Sequence, residues 1–78
     1  MSVQLVGVLE DEPRRVGGTC TLTLAAAAQC WTVLVSSAHA QWILRTFEAG
    51  WLVQVVGALA APGVLHAVLV WPVEAPLD

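Results

Sequence analysis

Gly50-Trp51-Leu52-Val53-Gln54-Val55-Val56-Gly57-Ala58-Leu59 is the stretch on which the fold turns. It is rich in valine, is broken by one polar residue, Gln54, and holds a glycine inside the run. Trp51, Val53 and Val55 alternate with Leu52, Gln54 and Val56, the two-residue period of a strand. Both sets are largely apolar, so both faces call for cover. A glycine within a strand permits sharp coiling or a bulge. Gly7 repeats the pattern in Val3-Gln4-Leu5-Val6-Gly7-Val8-Leu9. Coiled strands of this kind in a chain of 78 residues predict a small closed β-barrel.

Working outward, residues 3–9 read as a first strand, with Val3, Leu5 and Leu9 on one face and Gln4, Val6 and Val8 on the other. Residues 10–15 are a charged bend, and Pro13 argues against a central strand there. Residues 19–24 form a second strand with Thr19, Thr21 and Thr23 along a polar face, and 25–29 a short connection. Residues 30–35 form a third strand, antiparallel to the second, with Trp31, Val33 and Val35 sharing a face. Ser36 or Ser37 can cap a helix over 38–48, where Ala40, Ile43, Leu44 and Phe47 recur at helical spacing. Gly50 suits its end. Residues 51–59 are strand four, 61–63 a turn and 64–71 strand five. Pro72 and Pro76 end regular structure, leaving 72–78 as a tail. The order is βββ-α-ββ in a single domain, 1–78.

Composition adds a constraint. The chain is 58% hydrophobic and 12% charged, against roughly 45–50% and about 25% in a typical soluble domain. One small core cannot hide that much apolar surface, so the chain either oligomerises or enters a membrane. Residues 16–44 and 49–73 carry no formal charge, which frames a two-span membrane hairpin as one reading. Pro62-Gly63 in mid-stretch, the valine content and the threonine alternation favour strands instead.

There is no lysine; Arg14, Arg15 and Arg45 face six acids, for a net charge of −3. That balance lacks the basic footprint of a strong nucleic-acid binder. The N-terminus has no secretion-signal pattern. Cys20 and Cys30 are therefore expected to be buried thiols in a reducing, cytoplasmic setting. His39 and His66 stand at unrelated positions, so no metal site, cofactor or catalytic residue is expected, and the chain is read as a non-enzyme.

In element order and spacing the chain resembles the bacterial single-stranded DNA-binding protein family, including small members of the primosomal replication protein N kind. The likeness runs from Val3 to Trp71. It rests on Val3, Leu5-Val6-Gly7 and Leu9 with Pro13 and Arg15, on Thr23-Leu24-Ala25, on Trp31 with Val33-Leu34-Val35, and on Leu44-Arg45. Gly50, Val53, Val55, Gly57 and Leu59 complete it, at the family's usual interval from Trp31. The resemblance implies a mainly β, five-stranded OB-fold barrel with one short helix between strands 3 and 4. The family's long connections are cut to Ala25-Ala26-Ala27-Ala28-Gln29 and Ala60-Ala61-Pro62-Gly63, and its lysines are gone.

The function this implies is single-stranded DNA binding, weak or partner-assisted, in DNA replication or repair, with replication or repair proteins as expected partners. Such binding needs aromatic faces for bases and cations for phosphates. Trp31, Arg15, Arg14, Trp42 and Trp71 are the candidates, although Arg14 and Arg15 follow three acids and Arg45 can pair with Glu48. Trp51 is expected to pack. With three cations at most, binding would be weak and sensitive to salt. Gln4, Val6 and Val8 with Leu52, Gln54 and Val56 offer an outward surface for a homodimer or homotetramer. A second reading keeps the barrel as an oligomeric protein-interaction module without DNA; the membrane hairpin is the third.

Overall fold

Alternation in the sequence becomes alternation in burial once the strands pair. The computed structural model describes residues 2–36 and 39–74. The elements are β1 (Val3–Leu9), β2 (Arg14–Val16), β3 (Thr19–Ala26), β4 (Gln29–Val35), α1 (His39–Thr46), β5 (Leu52–Ala61) and β6 (Val64–Glu74). β3 shows the rule most plainly: Cys20, Leu22, Leu24 and Ala26 are buried, while Thr19, Thr21 and Thr23 lie half-buried on the outside. Threonine's β-branch suits that half-covered position.

The strands follow one another in the order β1-β5-β6-β4-β3-β2, and β1 pairs back onto β3 through Val8↔Ala25 and Leu9↔Leu24. That pairing closes the barrel. Only β4 and β6 run parallel. Both in-strand glycines stand where backbones crowd. A Cβ on Gly7 would lie 2.7 Å from the Ala25 carbonyl oxygen, where β1 swings from β5 to β3. One on Gly57 would collide with the His66 carbonyl, at a shift of register in the β5–β6 pair.

The core joins Leu9, Leu22, Leu24, Val33, Val35, Val53, Val55, Leu65 and Val70 from the strands to Ala40, Ile43 and Phe47 from the helix. Each large side chain taken out of water contributes about 1.5–3 kcal/mol. Trp51 packs on this core as expected, its ring centroid 5.5 Å from that of Phe47.

Four expectations need correction. The helix lies between the fourth and fifth strands, not the third and fourth, because Arg14–Val16 forms a short strand inside the segment read as a bend. Its three residues pair only with β3, so Pro13 sits just ahead of an edge strand, where a missing amide is tolerated. The last strand runs on through Pro72 to Glu74. β4 pairs with β6 only over Val64–His66, so the far flank of Pro72 needs no donor. Cys30 is exposed rather than buried, because it is the second residue of β4, close to the turn. The charged segment is tied down: Cys30 donates to the Glu10 carboxylate at 2.7 Å and the Ala49 amide donates to Glu12 at 3.0 Å. The Glu10 amide also donates to the Thr23 carbonyl at 2.8 Å.

The membrane hairpin does not form as helices: the two uncharged stretches are mostly strands, and no described helix is long and apolar enough to cross a membrane. The proposed cap at Ser37 and the end of the tail, with Pro76, fall outside the described residues.

Candidate nucleic-acid interface

Residues paired across neighbouring strands share one side of a sheet. The pairing register therefore sorts the surface into rows. One outer row runs Arg14–Thr21–Leu34–His66 across β2, β3, β4 and β6. The next runs Thr23–Thr32–Val64. This face presents hydroxyls, one guanidinium and one imidazole.

The opposite outer face belongs to β1, β5 and β6. Its rows are Gln4–Val56–Leu69 and Val6–Gln54–Trp71, with Val8 beside Leu52. Val6, Val8, Leu69 and Trp71 are exposed, and none of these residues is charged. All six residues expected to form an outward surface thus fall on one continuous face.

The five candidates for base and phosphate contact do not converge. Arg14 joins the threonine face. Arg15, its neighbour, pairs with Cys20 and so takes the core-facing parity at the sheet edge. Trp31 pairs with Leu24 and is half-buried against the core. Its indole N–H is buried without an acceptor among the described residues. Trp42 is 42% exposed on α1 and meets Phe47 edge-on, centroids 5.1 Å apart at 80°. Trp71, 36% exposed, lies on the apolar face. Thr32 and His66 complete the polar face but escaped the sequence reading; the threonine alternation in β3 was the signal that marks this side.

Electrostatics divides the barrel further. The Glu10 carboxylate beside Cys30 puts negative charge next to the start of β4, close in sequence to Trp31. The Cys30 thiol is pushed above its usual range by its hydrogen bond to Glu10, then by desolvation and the charges of Glu10 and Asp11. Burial alone raises Cys20. Both thiols therefore stay protonated near neutrality, which suppresses nucleophilic chemistry. No cluster of metal-ligating side chains occurs among the described residues.

No protein-family model and no curated relative matches the sequence. Solved structures do match its fold. The small single-stranded DNA-binding protein from Streptomyces coelicolor aligns over 92% of this chain and 91% of its own, with a TM-score of 0.81 and 19% identity. The mitochondrial single-stranded DNA-binding protein Rim1 from S. cerevisiae aligns over 97% and 96%, with a TM-score of 0.84 and 13% identity. Apo TiaS, a tRNAIle2 agmatidine synthetase, carries a similar barrel: 96% of this chain matches 18% of that one, with a TM-score of 0.82 and 18% identity. The chain has the OB-fold that these proteins share.

Proposed function

We propose that this chain binds single-stranded DNA, weakly or with a partner protein's help, in replication or repair in the cytoplasm, and that it does so as a homodimer or homotetramer. One observation carries the reading. Two single-stranded DNA-binding proteins match it over more than nine-tenths of both chains, so the shared barrel is nearly the whole of each molecule. In the TiaS match the barrel is a minor part of an enzyme. The reading involves no catalytic step and no cofactor.

The strand crosses the threonine face. Arg14 takes a phosphate there, and the hydroxyls of Thr21, Thr23 and Thr32 bond to the backbone or to base edges. Trp42, exposed on α1, is the aromatic face left for stacking, since Trp31 packs against the core. Trp71 belongs with the copy-to-copy contact, because its row neighbours are Gln54 and Val6. Burying that apolar face between subunits removes the surplus exposed surface that the composition creates.

Titration with oligo-dT tests this. Quenching of tryptophan fluorescence at low salt, by a species that elutes as an oligomer, is the expected result. Oligo-U in parallel distinguishes RNA from DNA. A folded oligomer that shows no quenching overturns the proposal and leaves the second reading, an OB-fold interaction module. That reading draws its support from the excess of acids and the Glu10 carboxylate beside β4.

A further inference from the structure

Two clefts open on the barrel, and their chemistry is opposite. One, of about 400 Å³, lies at the β3–β4 turn, where Glu10 contributes a carboxylate and no cation lines the walls. The other, of about 200 Å³, lies between the β2–β3 hairpin and α1. Arg15, Thr19 and Gln41 supply its polar groups, and Gly18, Cys20, Ala40 and Leu44 the rest of its lining. No carboxylate lines this second cleft.

The parity of a three-residue strand creates this arrangement. Arg14 pairs with Thr21 on the outer face, while Arg15 pairs with Cys20 and points to the other side of the sheet edge. Two adjacent cations thus straddle one thin, solvent-facing strand. A single strand lying on the threonine face and turning over that edge meets one guanidinium on each side. The lining of the cleft behind the edge offers apolar side chains for the face of a base, a carboxamide and a hydroxyl for its edge, and a guanidinium for the phosphate.

We propose that this cleft seats one nucleotide of the bound strand, its phosphate on Arg15 and its base between Gln41 and Leu44. The proposal rests on the single-strand reading above and assigns it a second contact surface, beyond the threonine face. Gly18 makes it testable without touching charge. A Cβ built there meets nothing within 4 Å, and Gly18 does not take the left-handed backbone conformation. Gly18→Leu therefore adds a bulky side chain to the lining of the cleft and leaves the backbone unstrained.

The experiment measures the affinity of fluorescein-labelled (dT)15 by anisotropy over a salt series, on wild type, Arg15→Gln, Gly18→Leu and the double variant, each first checked for native circular dichroism and elution. Arg15→Gln is expected to weaken binding about tenfold and to make the plot of log affinity against log salt shallower by about 0.7, the loss of one phosphate contact. Gly18→Leu is expected to do the same although it removes no charge, and the double variant to be no weaker than either. Gly18→Leu with wild-type affinity and slope overturns the cleft while leaving strand binding intact. A wild type that does not bind (dT)15 at all overturns both.

Discussion

On the side built by β2, β3 and β4 the outer rows carry Arg14, Thr21, Thr23 and Thr32 with one large apolar residue, Leu34; on the side built by β1, β5 and β6 they carry Val6, Val8, Leu52, Val56, Leu69 and Trp71 with two polar residues, Gln4 and Gln54. Both sides rest on the same core, and both alternate with period two. They differ in what water is left to solvate. Hydroxyls on the first side satisfy themselves with solvent or with a polar ligand. The apolar side chains of the second gain about 25 cal/mol for each Å² removed from water. The lesson is that one small barrel can divide its outer surface into a face rich in hydroxyls and a face rich in apolar side chains, and that Trp71 falls on the second.

The largest effect should come from charging the apolar face. Val6→Asp would bury an unpaired carboxylate in the contact between copies and cost about 3–5 kcal/mol. Light scattering behind a sizing column should show monomer where wild type is oligomeric, and Thr21→Asp on the other face should leave the mass unchanged. A wild-type monomer, or an oligomer untouched by Val6→Asp, would break the comparison.

Trp71→Ala should follow, weakening assembly by about 2 kcal/mol as a buried aromatic anchor does. Its affinity for oligo-dT, measured above the concentration that restores the oligomer, should be unchanged. If that affinity falls tenfold while assembly holds, Trp71 belongs to the ligand side.

A third change probes the turn at the end of the threonine face. β3 and β4 are joined by Ala27 and Ala28, both left-handed, with φ of 52° and 61°. The strain of an alanine there is about 1–2 kcal/mol. The β5–β6 turn has Pro62-Gly63 with Gly63 at φ 75°, where glycine pays no such penalty. Replacing Ala27-Ala28 by Asn-Gly should raise stability to urea by about 1–2 kcal/mol, and the same pair in place of Pro62-Gly63 should not.

The smallest effect concerns Cys30. Its thiol is raised by Glu10, so iodoacetamide should label it slowly near neutral pH and faster only as pH climbs past the ordinary thiol range. Glu10→Gln removes the charge and should speed labelling at a fixed pH. An unchanged rate would mean that Glu10 does not control this corner of the polar face.

Much of this was legible in the residues. The threonine alternation marks β3, the Ala40–Ile43–Phe47 spacing marks the buried side of α1, and the two in-strand glycines mark where strands coil against a neighbour. β2 was not legible, because Arg14-Arg15-Val16 has no apolar period of its own and is ordered by pairing with β3. The exposure of Cys30 and the run of β6 through Pro72 depend on what lies beside each residue, which no local pattern records.

Trp71 draws the line most sharply. Strict alternation along residues 64–71 would put Leu65, Ala67, Leu69 and Trp71 on one face, and Leu65 is in the core. The pairing instead passes from Gly57↔Ala67 to Val56↔Leu69, and Val68, 74% exposed, is the extra residue. That single bulge reverses the strand, so Val70 turns inward and Leu69 and Trp71 turn out. Residue order alone was enough to specify five of the six described strands, the helix and the barrel, because periodicity and glycine placement act locally. Which of Leu69, Val70 and Trp71 face the core and which face outward was settled only when β5 met β6, because a bulge is a property of two strands and is written in neither one.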